Sequence, residues 1–376
     1  MMITRQFQDT VERHPGKTCL IYLGSSFSYA QIDGMVAALA RSLLEMGIHP
    51  GDRVIVYLPN LPQWVIAWLA LLRIGAVAVP ITPYYVPYDL TYIANDCGAR
   101  AIFCMDTNFG YVTRVLSETR LEKVIVTTMV ELLPWWKQVA GKVLNKVPVG
   151  GYQLGENVYA FKSLLKESPD TVERPAVGPG GTAEILYTGG TTGYPKGVPI
   201  SDVLFMESAE EQRRAREPLV PRGEDVLIQG GSLYHILGQA VGLGALLYGD
   251  TVILLARVNL DALFDHIARY KARTFFGVPA LYRLILEHDR VDQYDLSSLQ
   301  YCFSGGDVLP LDVARRWEER YGMPIYQGYG ATETCGGISL TPAGAAFPEG
   351  TAGKIVSFQV VTLSDPDTLE PVPDSA

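Results

Sequence analysis

The sequence has no surplus of positive charge: Lys and Arg number 31 against 40 Asp and Glu, a formal net charge of -9. Nucleic-acid backbones are bound through clustered Lys and Arg that displace counterions, so a nucleic-acid partner is not expected. The five cysteines, Cys19, Cys97, Cys104, Cys302 and Cys335, include no CxxC pair. That spacing suits neither a disulfide framework nor a zinc site, and fits a reducing cytoplasm. The opening MMITRQFQDTVERHPGK lacks an apolar core with a small-residue cleavage site, so no secretory signal is expected. Unbroken hydrophobic runs are also missing. The most apolar stretch, residues 64–81, is interrupted by Arg73, Gly75 and Pro80, and reads as a buried helix entering a buried strand rather than a membrane span. What is present is 376 residues, 48% hydrophobic and 19% charged, enough for a large core in more than one lobe.

Short β-rich runs alternate with helical patterns: RVIVYLP, LPQWVIAWLALLRIG, AVAVP, YDLTYIANDCG, RAIFCM and KVIVTT, then AEILYTGG, DVLIQG, TVILLA, RTFFGVP and LQYCFSGG. This alternation predicts an α/β fold of two packed βαβ-type subdomains on largely parallel sheets. The Pro-, Gly- and charge-rich segment 167–181 marks a linker, giving subdomains over 1–175 and 176–349. From 350 to 376 apolar and polar residues alternate around the turn DPDT, which predicts the start of a β-barrel-like subdomain. In 132–147, Val139, Ala140, Val143, Leu144 and Val147 fall on one helical face flanked by Lys137, Lys142 and Lys146. Such a stripe could touch a membrane surface peripherally; the reading preferred here is a helix packed on its own lobe.

The strongest chemical signal is YTGGTTGYPKG at residues 187–197, directly after an apolar strand. Gly189, Gly190 and Gly193 let the backbone curl around a bulky anion. Thr188, Thr191 and Thr192 supply hydroxyl donors, and Lys196 a positive charge. The segment is a phosphate-gripping loop without the Walker spacing. Downstream, YQGYGATET at 326–334 combines an aromatic face, Tyr329, a hydroxyl, Thr332, and a carboxylate suited to Mg²⁺, Glu333. Between them stand Ser304, Gly305 and Gly306 at a strand end, and His235 in LYHI after a Gly-Gly turn. Strand ends of open α/β sheets line ligand crevices.

In this order and spacing, the four segments resemble those of the adenylate-forming (AMP-binding) superfamily. Gly189 within YTGGTTG, and the LLPWWKQVAGKVLNKV segment, are most similar to the long-chain fatty acyl-CoA synthetases. The resemblance implies a ligase that joins a fatty acid to ATP as acyl-AMP with Mg²⁺, then passes the acyl group to coenzyme A. It implies that Thr188 to Gly193 with Lys196 grip the β- and γ-phosphates, and that Thr332 meets the α-phosphate and Glu333 the magnesium. Gln327, Gly328 and Tyr329 with Ser304, Gly305 and Gly306 would frame the adenine. His235 would stand beside the carboxylate, and Gly238, Gly242 and Gly244 would leave room for the acyl chain. Asp307 and Val308 replace the Ala-Pro common in relatives, placing a negative charge near the adenine and acyl end.

The superfamily continues into a Gly-Asp motif, a hinge and a C-terminal domain with a catalytic Lys, none of which is found before Ala376. The expectation is the large N-terminal part of a ligase, cytoplasmic and completed by a further domain or a separate chain. Two alternatives share its motifs: an acyl-AMP ligase delivering to a carrier protein, and a catalytically silent nucleotide- or acyl-binding fragment. An amino-acid adenylation domain would carry an Asp near LYHI, where Leu237 and Gly238 stand instead.

Overall fold

The computed structural model describes residues 3–144, 147–166, 181–189 and 193–372. Two sheets organise them. The first has seven strands in the spatial order Val158–Ala160, Lys123–Thr127, Ala101–Met105, Arg53–Tyr57, Val77–Pro80, Thr182–Thr188 and Lys196–Ser201. The second has nine: Lys354–Ile355, Gly336–Leu340, Ile325–Ala331, Tyr301–Ser304, Thr274–Gly277, Val226–Gln229, Thr251–Leu254, Thr18–Tyr22 and Ser25–Ser28. Central pairs such as Arg53–Tyr57 with Ala101–Met105, and Thr274–Gly277 with Tyr301–Ser304, are parallel. Their residues are buried almost throughout, as strands covered on both faces must be, and so they read as continuous apolar runs.

The α/β reading holds, but the sheets do not respect a division at residues 175 and 176. The hairpin Thr18–Tyr22/Ser25–Ser28 belongs to the nine-stranded sheet, and Thr182–Thr188 with Lys196–Ser201 to the seven-stranded one. Each lobe therefore holds a strand pair from the other side of the linker. The cause is pairing: Thr18–Tyr22 finds a parallel partner in Thr251–Leu254, and Thr182–Thr188 lies beside Val77–Pro80, where apolar faces are covered. The linker 167–181, apart from Gly181, lies outside the described residues. Beyond Gly350, Lys354–Ile355 pairs antiparallel with Gly336–Leu340 and extends the nine-stranded sheet; Ser364 and Pro371 form an isolated bridge.

Helix Pro62–Arg73 is buried on every side, with Pro62 in its first turn and Trp64 and Trp68 stacked 6.2 Å apart. Its local code is simple: a proline whose missing N–H costs nothing at a helix start, then unbroken apolar residues. Helix Asp202–Arg216 begins where Ser201 Oγ accepts from Leu204 N. Its inner face buries Phe205, Ser208, Ala209, Gln212, Arg213 and Arg216. The two arginines are held by Asp225 and Asp250, buried ion pairs in which Arg216 Nε and Asp225 Oδ2 lie 3.1 Å apart.

Helix Trp135–Val143 departs from the preferred reading. Val139, Val143 and Leu144 are exposed, as are Trp135 and Trp136, and only Val147 of the stripe is buried. Lys137 donates to Leu23 O at 2.9 Å and Ser25 Oγ at 3.0 Å, so the helix leans on the hairpin of the other sheet with its apolar stripe open. Lys146 and the side chain of Lys142 lie outside the description. Among the described residues no helix is long and apolar enough to cross a membrane.

Candidate active site

Parallel strands deliver their carboxyl ends to one edge of the nine-stranded sheet, where open α/β sheets bind ligands. A cavity of about 380 Å³ lies there. Ile236, Leu237, Phe276, Val278, Phe303 and Leu340 give it apolar walls, and Gln212, Ser232, His235, Tyr329 and Thr332 supply polar side chains. The structure thus brings together His235, Gly306, Gly328, Tyr329 and Thr332, which are widely separated in the chain.

Glycine builds this wall by absence. A Cβ on Gly330 would stand 1.9 Å from Gly336 O, so any side chain would prise apart the antiparallel pair Ile325–Ala331 and Gly336–Leu340. Gly306 holds φ +87°, a left-handed conformation that other residues adopt at a cost. Gly305 and Gly328 are packing positions, their missing side chains facing Leu237 and Phe303 respectively.

His235 precedes the short helix Ile236–Gly238, with its ring 4.8 Å from that of Tyr234. Burial pushes its imidazole below the usual histidine value, so it is neutral near pH 7 and presents one donor and one acceptor. Thr332 and Glu333 ride on the turn Thr332–Thr334. Thr334 Oγ1 pins this turn, accepting from Ala331 N at 3.1 Å and donating to Gly336 O at 2.9 Å. Thr332 consequently lines the cavity, while Glu333 is exposed beside it. Ser304 is buried and its Oγ has no partner among the described residues. Gln327 donates its backbone N–H to Thr341 Oγ1 at 2.5 Å. Ser304, Gly305, Gln327 and Glu333 flank the cavity in sequence without lining it.

The phosphate-gripping segment occupies a hairpin of the other sheet. Thr188 and Lys196 are cross-strand partners at its mouth; Gly189, Gly193 and Lys196 are exposed. Gly190, Thr191 and Thr192 lie outside the described residues. Both arms are fastened to helix Pro87–Cys97: Tyr187 donates to Asp96 Oδ2 at 2.5 Å, and Tyr194 stacks on Tyr92 at 4.6 Å with its hydroxyl 2.7 Å from that of Tyr88. The described part of this hairpin does not line the cavity. Its root is anchored by Glu184, fully buried, whose Oε2 accepts from Trp68 Nε1 at 3.0 Å. Burial pushes that carboxyl up to about 8, so it stays protonated at neutral pH.

A magnesium ion fits Glu333 in one way. Among the described residues no three His, Cys, Asp or Glu side chains gather to cage a metal. Magnesium, which keeps waters and shares its coordination with substrate phosphates, asks for only one or two carboxylates, and Glu333 is exposed with no hydrogen bond of its own among the described residues.

Two expectations change. Gly242 and Gly244 do not face the cavity: a Cβ on Gly242 would meet Gln229 Oε1 at 2.4 Å, and on Gly244 Ala209 Cβ at 3.1 Å. Both are close-packing glycines, and only Gly238 borders the cavity. Asp307 is exposed, its Oδ1 accepting from Val308 N at 2.7 Å, and stands outside the lining. Sequence reasoning missed Gln212, Phe276 and the Gly336–Gly337 pair. The double glycine was a usable signal; a lone Gln inside a helix was not.

The AMP-binding enzyme family matches residues 7–376. The chain belongs to that family. A long-chain-fatty-acid–CoA ligase of Escherichia coli O6:H1 is 29% identical over 380 residues, covering 98% of this chain and 66% of that protein. The chain thus spans just under two thirds of this relative's length. A benzoate CoA ligase from Burkholderia xenovorans superposes with TM-score 0.83 at 24% identity, covering 100% of this chain and 70% of that one. A long-chain-fatty-acid-CoA ligase from Archaeoglobus fulgidus gives TM-score 0.83 at 21% identity, covering 99% and 72%. Solved structures with different acids in their names share this fold.

Proposed function

We propose that this chain activates a carboxylic acid, of the fatty-acid class, with ATP to form acyl-AMP, as the large part of an acid–CoA ligase. The observation that carries the reading is the convergence of His235, Gly306, Gly328, Tyr329 and Thr332 on one cavity of about 380 Å³, within a chain of the AMP-binding family. Attack of a carboxylate on the α-phosphate forms the acyl–phosphate bond, breaks the bond from the α-phosphorus to the bridging oxygen and expels pyrophosphate; it joins two anions, so the protein's work is to hold them in line and to neutralise phosphate charge. Tyr329, 60% exposed on the cavity rim, offers its face to adenine, between Gly328 and the Ser304–Gly306 turn. Thr332 donates to the α-phosphate, and neutral His235 holds the acid's carboxylate by a hydrogen bond. Thr188, Gly189 and Lys196, with Gly190 to Gly193, close over the β- and γ-phosphates. Glu333 would hold magnesium together with the substrate's phosphates, and the ion would supply charge neutralisation. Transfer to coenzyme A is assigned to no residue of this chain.

The test is exchange of labelled pyrophosphate into ATP across acids of increasing length, on this chain and on a form carrying the relatives' C-terminal continuation. Acid-dependent exchange by the extended form supports the reading; none with short, long or aromatic acids overturns it. Coenzyme A consumption separates a CoA ligase from delivery to a carrier protein.

The open stripe of helix Trp135–Val143 favours a second element, a cytoplasmic enzyme in peripheral contact with membranes through 132–147. Trp135, Trp136 and Val143 are exposed, and Trp136 shares a surface groove with Lys137 and Arg269, a pairing suited to an anionic lipid surface. Sedimentation with phosphatidylglycerol vesicles that is lost in W136E/V143E is the expected result; equal sedimentation of both proteins contradicts it.

A further inference from the structure

The cavity's walls hold a polar group that the adenylation chemistry leaves unused. Gln212 is 3% exposed and lines the cavity from helix Asp202–Arg216. Its Nε2 lies 3.7 Å from where a Cβ of Gly337 would be, so the carboxamide rests against the Gly336–Gly337 wall. Its backbone carbonyl accepts from Arg216 Nη1 at 3.2 Å, whereas its side chain makes no hydrogen bond among the described residues. One turn earlier Ser208 Oγ, buried without a partner among the described residues, stands 2.8 Å from the Cβ position of Gly336. The neighbouring polar groups on this helix face, Arg213 and Arg216, are both paired with aspartates. Gln212 and Ser208 are left without such a partner among the described residues.

A plain methylene chain laid against that amide would strip its donors and acceptor of water and return nothing, a costly arrangement. A hydroxyl, amino or oxo group would satisfy it. We infer that the acid taken by this cavity carries such a hydrogen-bonding group away from its carboxylate, on a chain or a ring, and that Gln212 selects for it. The inference rests on the adenylation reading and narrows its substrate class. The volume agrees: about 380 Å³ is at the small end of small-molecule sites, and nucleotide and acid share it. Sites built to bond a polar substituent discriminate strongly against analogues that lack it.

The experiment uses the chain as it stands. Hydrolysis-resistant acyl-adenosine sulfamates are made from matched acids, octanoate with its hydroxylated forms and benzoate with its hydroxy and amino forms. Their binding, and that of AMP alone, is measured by calorimetry. In the unsubstituted protein at least one polar analogue is expected to bind about tenfold or more tightly than its apolar counterpart. Q212L erases that ratio and leaves AMP binding unchanged, while Q212N retains part of it. Equal binding within every pair, or a ratio that survives Q212L, overturns the inference while AMP binding keeps the adenylation reading intact. Failure of AMP and every analogue to bind sinks both. Should Q212L lower the melting temperature sharply, the ratio in the unsubstituted protein decides alone.

Discussion

The cavity and the phosphate-gripping hairpin sit on different sheets and are built in opposite ways. The cavity is made by packing: buried strand ends, apolar side chains, and glycines such as Gly330 where two backbones leave no room for a Cβ. The hairpin's mouth is made by the exposed Gly189, Gly193 and Lys196 with the half-buried Thr188, anchored at its arms by Tyr187 and Tyr194 and at its root by Glu184. The difference teaches that position and chemistry are separable here. Substitutions at the cavity wall's packing glycines should unfold or deform, and substitutions at the hairpin mouth should weaken ligand binding on an intact fold.

The sharpest way to break that contrast is G330A. Its Cβ meets backbone, not a yielding side chain, so a loss of about 3–5 kcal/mol is expected, as for severe core lesions. Urea unfolding would show it, and wild-type stability would remove the packing account of the wall. Next is E184Q, which asks whether the hairpin's root behaves like the cavity. A carboxyl raised in the fold to about 8 binds its proton where the unfolded chain has released it. Stability therefore falls by about 1.4 kcal/mol per unit as pH rises from the ordinary carboxylate range to about 8. The neutral amide should flatten that slope, gaining about 3 kcal/mol near pH 7 if its geometry is kept; an unchanged slope would place the titration elsewhere.

Smaller effects test the hairpin mouth and the cavity rim. K196M should leave the melting temperature within a degree or so, because Lys196 is exposed, while weakening ATP by about 1.5–3 kcal/mol through loss of a charged hydrogen bond. AMP, lacking the distal phosphates, should be unaffected, and equal losses for both nucleotides would move Lys196 away from the triphosphate tail. Y329A removes a stacking face worth about 1–3 kcal/mol per base. It should weaken ATP and AMP alike, and a change confined to the acid would reassign Tyr329 to the acyl side.

The same contrast explains what the sequence shows plainly. Residue types announce the hairpin's chemistry, since four glycines, three threonines and a lysine in eleven residues have few other uses. Strand and helix alternation likewise announces the fold class. Strand exchange between the sheets is not legible, because the partner of Thr18–Tyr22 lies more than two hundred residues away at Thr251–Leu254, and a local apolar pattern carries no address. Gly242 misled for a related reason: a glycine near a site can serve packing, here against Gln229. Gln212 was invisible because helical periodicity marks a position as inward without saying whether a cavity lies beyond it.

The central claim is that hairpin and cavity, though on separate sheets, hold one nucleotide between them. A crystal structure of this chain with ATP, magnesium and a bound acid tests it most directly. The account predicts adenine against Tyr329, the α-phosphate at Thr332, and the distal phosphates under residues 188–196 with Lys196 turned onto them. A nucleotide lodged elsewhere, with that lysine facing bulk water, would contradict it.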